Sequence, residues 1–154
     1  LPVTLVPYRR MPDLATYSER ICAVLDAAQA DLVCLAGFLS MWVLPERYEG
    51  RVMNIHPALL PSFGGRGMHG HRVHEAVLAA GCKVSGCTVH FVTNEYDAGP
   101  IIVQRCVPVG EEDDADALAA RVFEQECAAY PEAIRLFARD RLRIEGARVR
   151  VLPD

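Results

Sequence analysis

The stretch DLVCLAGF, residues 31–38, is almost continuously apolar and has a glycine near its end. A strand that is apolar on both alternations is typical of a parallel sheet covered by helices on both faces. The stretch therefore predicts an interior strand. Around it, strand-like and helical patterns alternate at least three times along the chain. This alternation predicts an open, mostly parallel α/β sheet with helices on both faces.

The same patterns predict the other elements of the chain. Strands are predicted at 3–6, 51–55, 84–93 and 101–109, and helices at 14–30, 71–80 and 116–139. Pro131 conflicts with the last of these helices and is expected to kink or split it. The alternation on either side of Glu145 and Gly146 predicts a carboxyl-terminal hairpin over 142–152.

Composition limits the kinds of protein and partner to consider. The 154 residues are 51% apolar and 23% charged, an ordinary balance for a single domain with one core. The net charge is −4 and no extended basic cluster occurs, which argues against a nucleic-acid partner. The apolar stretches are too short for a membrane span, and no signal peptide is recognisable. Unpaired thiols and a reducing, cytoplasmic location are predicted from six scattered cysteines: Cys22, Cys34, Cys82, Cys87, Cys106 and Cys127.

The segment Asn54-Ile55-His56-Pro57 follows a predicted strand and carries residue types suited to catalysis. Residues two apart in a strand point to the same side, so Asn54 and His56 are expected to face one crevice. An amide can donate to a developing oxyanion, and an imidazole can act as donor or general acid and base. The alternative is that Asn54 caps a turn and His56 is a satisfied buried imidazole. The chemistry alone leaves both interpretations open.

Asp97 lies in the turn Asp97-Ala98-Gly99-Pro100, between two predicted strands. In isolation, an aspartate in such a turn is expected to hydrogen-bond its own backbone. The ordered combination of Asn-x-His-Pro, the strand over 86–92 and then this turn favours a shared functional site instead.

Four blocks of sequence resemble the phosphoribosylglycinamide formyltransferase family. They are LAGF at 35–38, NIHPALLPSF at 54–63, GCTVHFV at 86–92 and DAGPII at 97–102. The resemblance is clearest from Asp31 to the end of the long predicted helix. It implies that a formyl group passes from 10-formyltetrahydrofolate to the amine of glycinamide ribonucleotide, in purine biosynthesis. It also implies small-molecule substrates and no metal.

The resemblance further implies roles for particular residues. Asn54, His56 and Asp97 are implied to be catalytic, with Asp97 favouring the protonated imidazole through charge pairing. Glu126 is implied to contact the ribose hydroxyls, against the alternative of an ordinary solvated glutamate. Arg66, in a glycine-rich loop, is a candidate for recognising phosphate, against the alternative of a solvated arginine. The folate is implied to lie against Leu39, Ser40, Met41, Trp42, Val92 and Thr93.

The chain departs from the family pattern in several places. The family begins with a strand and a Gly/Asn-rich phosphate loop that no segment here matches. Residues 1–154 are therefore expected to be the catalytic and folate-binding part of a longer formyltransferase domain, and to be insoluble or inactive when expressed alone. Ser40 replaces an arginine of the folate loop, and Cys127 replaces a common histidine. The loop 64–71 is longer than usual.

Three histidines in and after this loop, His69, His71 and His74, suggest a zinc site by their spacing. No cysteine or carboxylate recurs at ligand spacing, and His74 falls within a predicted helix. We therefore predict no metal site.

Three other functions remain open from the sequence. A formyltetrahydrofolate hydrolase would use water in place of the amine. A methionyl-tRNA formyltransferase would act on a nucleic acid, which the acidic net charge argues against. An inactive folate-binding module would keep the sheet, but core packing does not require Asn54, His56 and Asp97 together.

Overall fold

The computed structural model describes residues 2–154, which form three α-helices and six strands. The helices are α1 (Leu14–Ala27), α2 (His71–Ala79) and α3 (Ala115–Ala138). The strands are β1 (Val33–Leu35), β2 (Val52–His56), β3 (Val84–Phe91), β4 (Ile101–Pro108), β5 (Leu142–Glu145) and β6 (Arg148–Val151).

The six strands form one open sheet in the order β1-β2-β3-β4-β6-β5. The pairs β1–β2 and β4–β6 are parallel, and the other three pairs are antiparallel. The predicted fold class, an open α/β sheet with a carboxyl-terminal hairpin, is confirmed. Within residues 2–154 the sheet is mixed, because β3 runs antiparallel to both of its neighbours.

Helices cover both faces of the sheet, as predicted. Val52 and Met53 are neighbours in β2 and both are fully buried, and successive strand residues point to opposite faces. Met53 belongs to a core cluster with Leu118 and Val122 of α3. Val52 belongs to a second cluster that includes Cys22 of α1. The two clusters therefore lie on opposite sides of the sheet.

The long helix α3 runs through Pro131 as one element, so the prediction that this proline splits it is wrong. An interior proline costs a helix about 3 kcal/mol or more, because it lacks an N–H and crowds the preceding turn. Ala129 and Ala133, on either side of it, are completely buried against the sheet. This tertiary packing stabilises the helix on both sides of the proline.

Two predictions about the first part of the chain are also wrong. Residues 3–6 form no strand, and the side chains of Val3 and Leu5 are 92% and 80% exposed. The stretch 31–38 contributes only the three residues of β1, which lies at the edge of the sheet and pairs with β2 alone. An apolar run indicates that a strand tends to be buried, but it does not indicate whether that strand has one neighbouring strand or two. Cys34, at the centre of β1, is exposed.

All six cysteines have free thiols, and only Cys22 and Cys87 are fully buried. Cys34, Cys106 and Cys127 are exposed, so packing as a small hydrophobe does not account for these three. Within residues 2–154, no helix combines the length and the apolar character that crossing a bilayer requires.

Candidate active site

Asn54, His56 and Asp97 meet at one cavity, whose volume is about 1230 Å³. Asn54 and His56 lie at the carboxyl end of β2, two residues apart, as the strand alternation requires. The His56 Nδ1 atom is 3.6 Å from Asp97 Oδ2, and both side chains are largely buried. The structure therefore brings the three sequence-predicted residues together.

The sequence did not show how the path of the chain brings Asp97 to this cavity. β3 is antiparallel to β2, so the connection that follows β3 starts beside the first residue of β2. There the Val92 N–H donates to the Val52 carbonyl at 2.8 Å. The backbone of Asp97 is left-handed, with φ of 52°. Aspartate tolerates this conformation better than most residues, although it still carries strain of the kind found at functional sites.

The hydrogen bond to Phe63 fixes which ring nitrogen of His56 carries the proton. His56 Nε2 lies 2.8 Å from the Phe63 carbonyl oxygen, which can only accept. Nε2 is therefore the N–H donor, and in the neutral ring Nδ1 keeps its lone pair. Nδ1 is the nitrogen that faces Asp97. Protonation of Nδ1 would create a second donor between the carboxylate and the cavity.

A short glycine segment links the two catalytic candidates. The Gly65 N–H donates to Asp97 Oδ2 at 2.8 Å, two residues after the Phe63 carbonyl that holds His56. Between them, Gly64 has no room for a side chain, because a Cβ there would lie 2.5 Å from Leu60 Cδ2 and 3.2 Å from Asp97 Cβ. The glycine-rich loop therefore orients both His56 and Asp97.

His90 orients the amide of Asn54. The two residues are direct neighbours across β2 and β3, and Asn54 Nδ2 lies 3.3 Å from His90 Nε2. His90 Nδ1 donates to the Phe91 carbonyl at 2.9 Å, so Nε2 of the neutral ring is an acceptor. Burial lowers the pKa of His90, which keeps this ring neutral. One Asn54 N–H is thereby occupied, and the other is free to donate to a ligand.

Thr88 is completely buried, and its side chain hydrogen-bonds to the turn that follows His56. The Thr88 hydroxyl donates to the Ala58 carbonyl at 2.7 Å and accepts from the Leu60 N–H at 3.0 Å. The Gln104 amide donates to Thr88 Oγ1 and to the Leu60 carbonyl. These bonds satisfy the buried backbone of the turn and so fix the geometry that leads from His56 to Phe63.

We expect the protein to lose stability below about pH 6.5 because His90 and His74 are buried. Burial is the main cause that lowers the pKa of each from the ordinary 6.5. Between that value and the lower folded-state pKa, the unfolded chain binds more protons, so the free energy of unfolding falls as pH falls. The slope reaches at most about 1.4 kcal/mol per pH unit for each histidine. Urea titrations at several pH values measure it.

The matched variant for this prediction is His74→Leu, which removes one of the two imidazoles whose pKa is lowered and leaves Asn54, His56 and Asp97 unsubstituted. It should flatten the acid side of the stability profile. An unchanged slope in this variant would contradict the assignment to His74.

Five of the six residues predicted to contact folate line a second, smaller cavity beside the first: Ser40, Met41, Trp42, Val92 and Thr93. The sixth, Leu39, is 64% exposed and lines the large cavity instead. Asn54 and Asp97 line both cavities, so they lie where the two adjoin. A ligand in the small cavity would therefore be in contact with the catalytic candidates.

The substrate-contact candidates Glu126 and Arg66 both line the large cavity. Glu126, on α3, is partly buried, and this burial raises the pKa of its carboxyl group. It is therefore not an ordinary solvated helix glutamate. Arg66 is exposed in the glycine-rich loop.

The histidines of the loop do not form a cluster that could hold a metal. His71 Nε2 instead pairs with Asp116 Oδ1 at 2.8 Å. Residues 2–154 contain no group of three metal-ligating side chains close enough to hold an ion.

The sequence did not reveal two residues that support the site through hydrogen bonds, His90 and Asn94. His90 lies in the resembling block 86–92, and its position opposite Asn54 becomes visible only with the strand register. Asn94 joins two distant loops, because its side chain accepts from the Leu44 N–H at 2.7 Å and donates to the Leu44 carbonyl at 3.1 Å. No local sequence pattern can predict a contact between residues fifty positions apart.

Comparison with known proteins identifies relatives of this chain. A family model described as "Formyl transferase" matches residues 2–134. The phosphoribosylglycinamide formyltransferase of Escherichia coli is 42% identical over 130 residues, which are 83% of this chain and 59% of that enzyme.

Two solved structures are similar in fold. The glycinamide ribonucleotide transformylase 1 of Symbiobacterium toebii has a TM-score of 0.86 and 44% identity, covering 95% of this chain and 68% of that one. A formyltetrahydrofolate deformylase from Pseudomonas syringae has a TM-score of 0.81 and 29% identity, covering 92% of this chain and 46% of that one. The chain spans about half the length of the curated phosphoribosylglycinamide formyltransferases it matches.

Proposed function

The chain belongs to the formyl transferase family, and on that premise we propose that it transfers a formyl group from 10-formyltetrahydrofolate to the amine of glycinamide ribonucleotide, a step of purine biosynthesis. The observation that carries the proposal is the convergence of Asn54, His56 and Asp97 at the large cavity. Asn54 and Asp97 also line the small cavity beside it, so a ligand in either cavity would contact them.

The first catalytic task is to stabilise the negative charge that builds on the formyl oxygen as the amine attacks. The free Asn54 N–H is assigned as one donor for this charge, and His56 Nδ1, when it carries a proton, as the second. Donors fixed before the reaction stabilise such charge without reorganising, which is usually the largest single catalytic effect. Bonds to His90 and Phe63 hold the two side chains in place.

The second task is to move a proton from the attacking amine to the leaving N10 nitrogen. The 3.6 Å separation of His56 Nδ1 and Asp97 Oδ2 is too long for a direct hydrogen bond and leaves the carboxylate able to hold a water. Asp97 faces His56 Nδ1 and orients the water that relays the proton. The Gly65 N–H keeps Asp97 aimed at this position.

Substrate binding divides between the two cavities. We place the folate in the smaller one, against Ser40, Met41, Trp42, Val92 and Thr93, with Leu39 at the edge of the larger cavity. Glu126 and Arg66 line the large cavity, and we assign Glu126 to the ribose hydroxyls and Arg66 to the phosphate. The six free thiols support a reducing compartment such as the cytoplasm.

A second candidate is hydrolysis of 10-formyltetrahydrofolate, favoured by the likeness to the Pseudomonas syringae deformylase. The same donors would stabilise the same oxyanion, and water would replace the amine. Higher sequence identity to the Symbiobacterium toebii enzyme favours the amine.

An assay with both acceptors tests the proposal. The full-length protein that contains residues 1–154 is purified and incubated with 10-formyltetrahydrofolate, with and without glycinamide ribonucleotide, and the release of tetrahydrofolate is followed together with formylation of the amine. We expect release that depends on the amine and matches the formylated product one to one. Equal release without the amine would identify a hydrolase, and no release in either case would contradict both functions.

A further inference from the structure

Phe63 has a backbone conformation that a bulky residue rarely adopts. Its φ is 55°, in the left-handed region, where the Cβ atom crowds the following carbonyl oxygen. Glycine adopts this region freely and asparagine tolerates it, whereas a bulky residue there is an outlier. Such conformations persist only where the surrounding structure imposes them, and they cluster at functional sites.

The chain on the amino-terminal side of this torsion is held by hydrogen bonds. Ser62 donates its N–H to the Leu59 carbonyl at 3.1 Å. The buried Thr88 hydroxyl accepts from the Leu60 N–H at 3.0 Å. Rotation about φ of Phe63 would therefore move the groups that follow this bond, while the turn before it stays in place.

Three groups follow that bond in the chain and depend on its torsion. The first is the Phe63 ring, which is partly buried and packs against the core cluster that contains Met53. The second is the Phe63 carbonyl, 2.8 Å from His56 Nε2. The third is the Gly65 N–H, 2.8 Å from Asp97 Oδ2. Packing of the ring therefore opposes rotation about a bond on which both hydrogen bonds depend.

We propose that Phe63 is a positioning residue for formyl transfer: its packed ring holds the backbone left-handed, and this torsion aims the Phe63 carbonyl at His56 and the Gly65 N–H at Asp97. The inference rests on the proposed function and deepens it, because it assigns the orientation of the catalytic pair to a residue that lines neither cavity. With φ relaxed to a negative value, the carbonyl would turn away and His56 Nε2 would no longer be held as the protonated nitrogen.

Three substitutions separate the torsion from the packing of the ring. Phe63→Asn and Phe63→Ala both remove the ring, but asparagine occupies the left-handed region several-fold more often than most residues. Phe63→Val keeps more apolar surface, yet its branched Cβ opposes a positive φ. Positioning therefore predicts that kcat decreases from asparagine to alanine to valine, whereas packing alone predicts the reverse order.

Steady-state kinetics on the full-length protein measures this order. We expect kcat of Phe63→Val to fall about 5- to 30-fold below that of the unaltered protein, because the competent conformation becomes rare, with KM for both substrates nearly unchanged. Phe63→Asn should retain more activity than Phe63→Ala, although its polar side chain packs less well against the core. Thermal unfolding curves show whether each variant folds, and the asparagine and alanine pair decides the order if the valine variant does not.

The protonation site of His56 supplies a readout that does not depend on activity. Long-range 1H–15N NMR spectra in alkaline buffer distinguish the two neutral tautomers of a histidine, and comparison with His56→Gln identifies the signals of His56. The unaltered protein and Phe63→Asn should carry the proton on Nε2. Phe63→Ala and Phe63→Val should show a mixture of both tautomers.

The outcomes separate this inference from the function on which it rests. If Phe63→Ala or Phe63→Val is at least as active as Phe63→Asn, or if every variant shows the same tautomer, the role of Phe63 is overturned and the proposed reaction stays intact. Full-length protein that releases no tetrahydrofolate would overturn the proposed function, and the tautomer populations would still decide whether Phe63 positions His56.

Discussion

Replacement of His56 by glutamine is expected to lower kcat for formyl transfer by about 10²–10³ and to leave KM for both substrates nearly unchanged. A glutamine amide reaches about as far as Nε2 and can still donate to the Phe63 carbonyl, which preserves the turn. It places no donor where Nδ1 faces Asp97. The transition state would therefore lose a donor that the bound substrates do not need, and steady-state kinetics with both substrates measures this loss.

The matched variant is His56→Asn, whose shorter amide places its nitrogen near the position of Nδ1. It should lose the bond to Phe63 but retain more activity than His56→Gln. The reverse order would show that Nε2, not Nδ1, faces the reacting formyl group. A thermal unfolding curve for each variant separates loss of catalysis from loss of fold.

The local patterns predicted much of the site. The two-residue spacing of Asn54 and His56 correctly placed both on one side of β2, because strand alternation is a local property. Asp13 caps α1, because its carboxylate accepts from the Thr16 N–H at 2.7 Å, a contact between residues three apart. The terminal hairpin followed from alternation on either side of a glycine. Each of these features depends on residues close in the chain.

The features that were missed depend on contacts between distant residues. The antiparallel direction of β3 decides that His90 lies opposite Asn54, and strand direction leaves no mark on the sequence of either strand. The same holds for the open edge of β1, since its apolar pattern is the same with one neighbour as with two.

The strand register that pairs Asn54 with His90 leads to the second large effect, which is expected for Asn54→Asp. The change keeps the size of the side chain but replaces the amide N–H groups with oxygen atoms that only accept. A carboxylate would face the negative charge that develops on the formyl oxygen, and it would also face the His90 Nε2 lone pair. We expect kcat to fall by at least about 10²–10³, the usual effect of losing one oxyanion donor.

The acid at this position should also change the protonation of its neighbour. A carboxylate 3.3 Å from His90 Nε2, in place of the amide, favours the protonated imidazole and opposes the effect of burial, so the pKa of His90 should rise. NMR titration of the histidines would detect this rise together with the loss of activity. Asn94→Asp serves as the matched control, because it makes the same chemical change in a residue whose side chain hydrogen-bonds the Leu44 backbone. It should lower the free energy of unfolding and change kcat much less than Asn54→Asp does. If Asn54→Asp kept full activity, the free amide N–H would not be an oxyanion donor. If it lost activity while His90 titrated as before, the hydrogen bond between the two strands would not be what orients the amide.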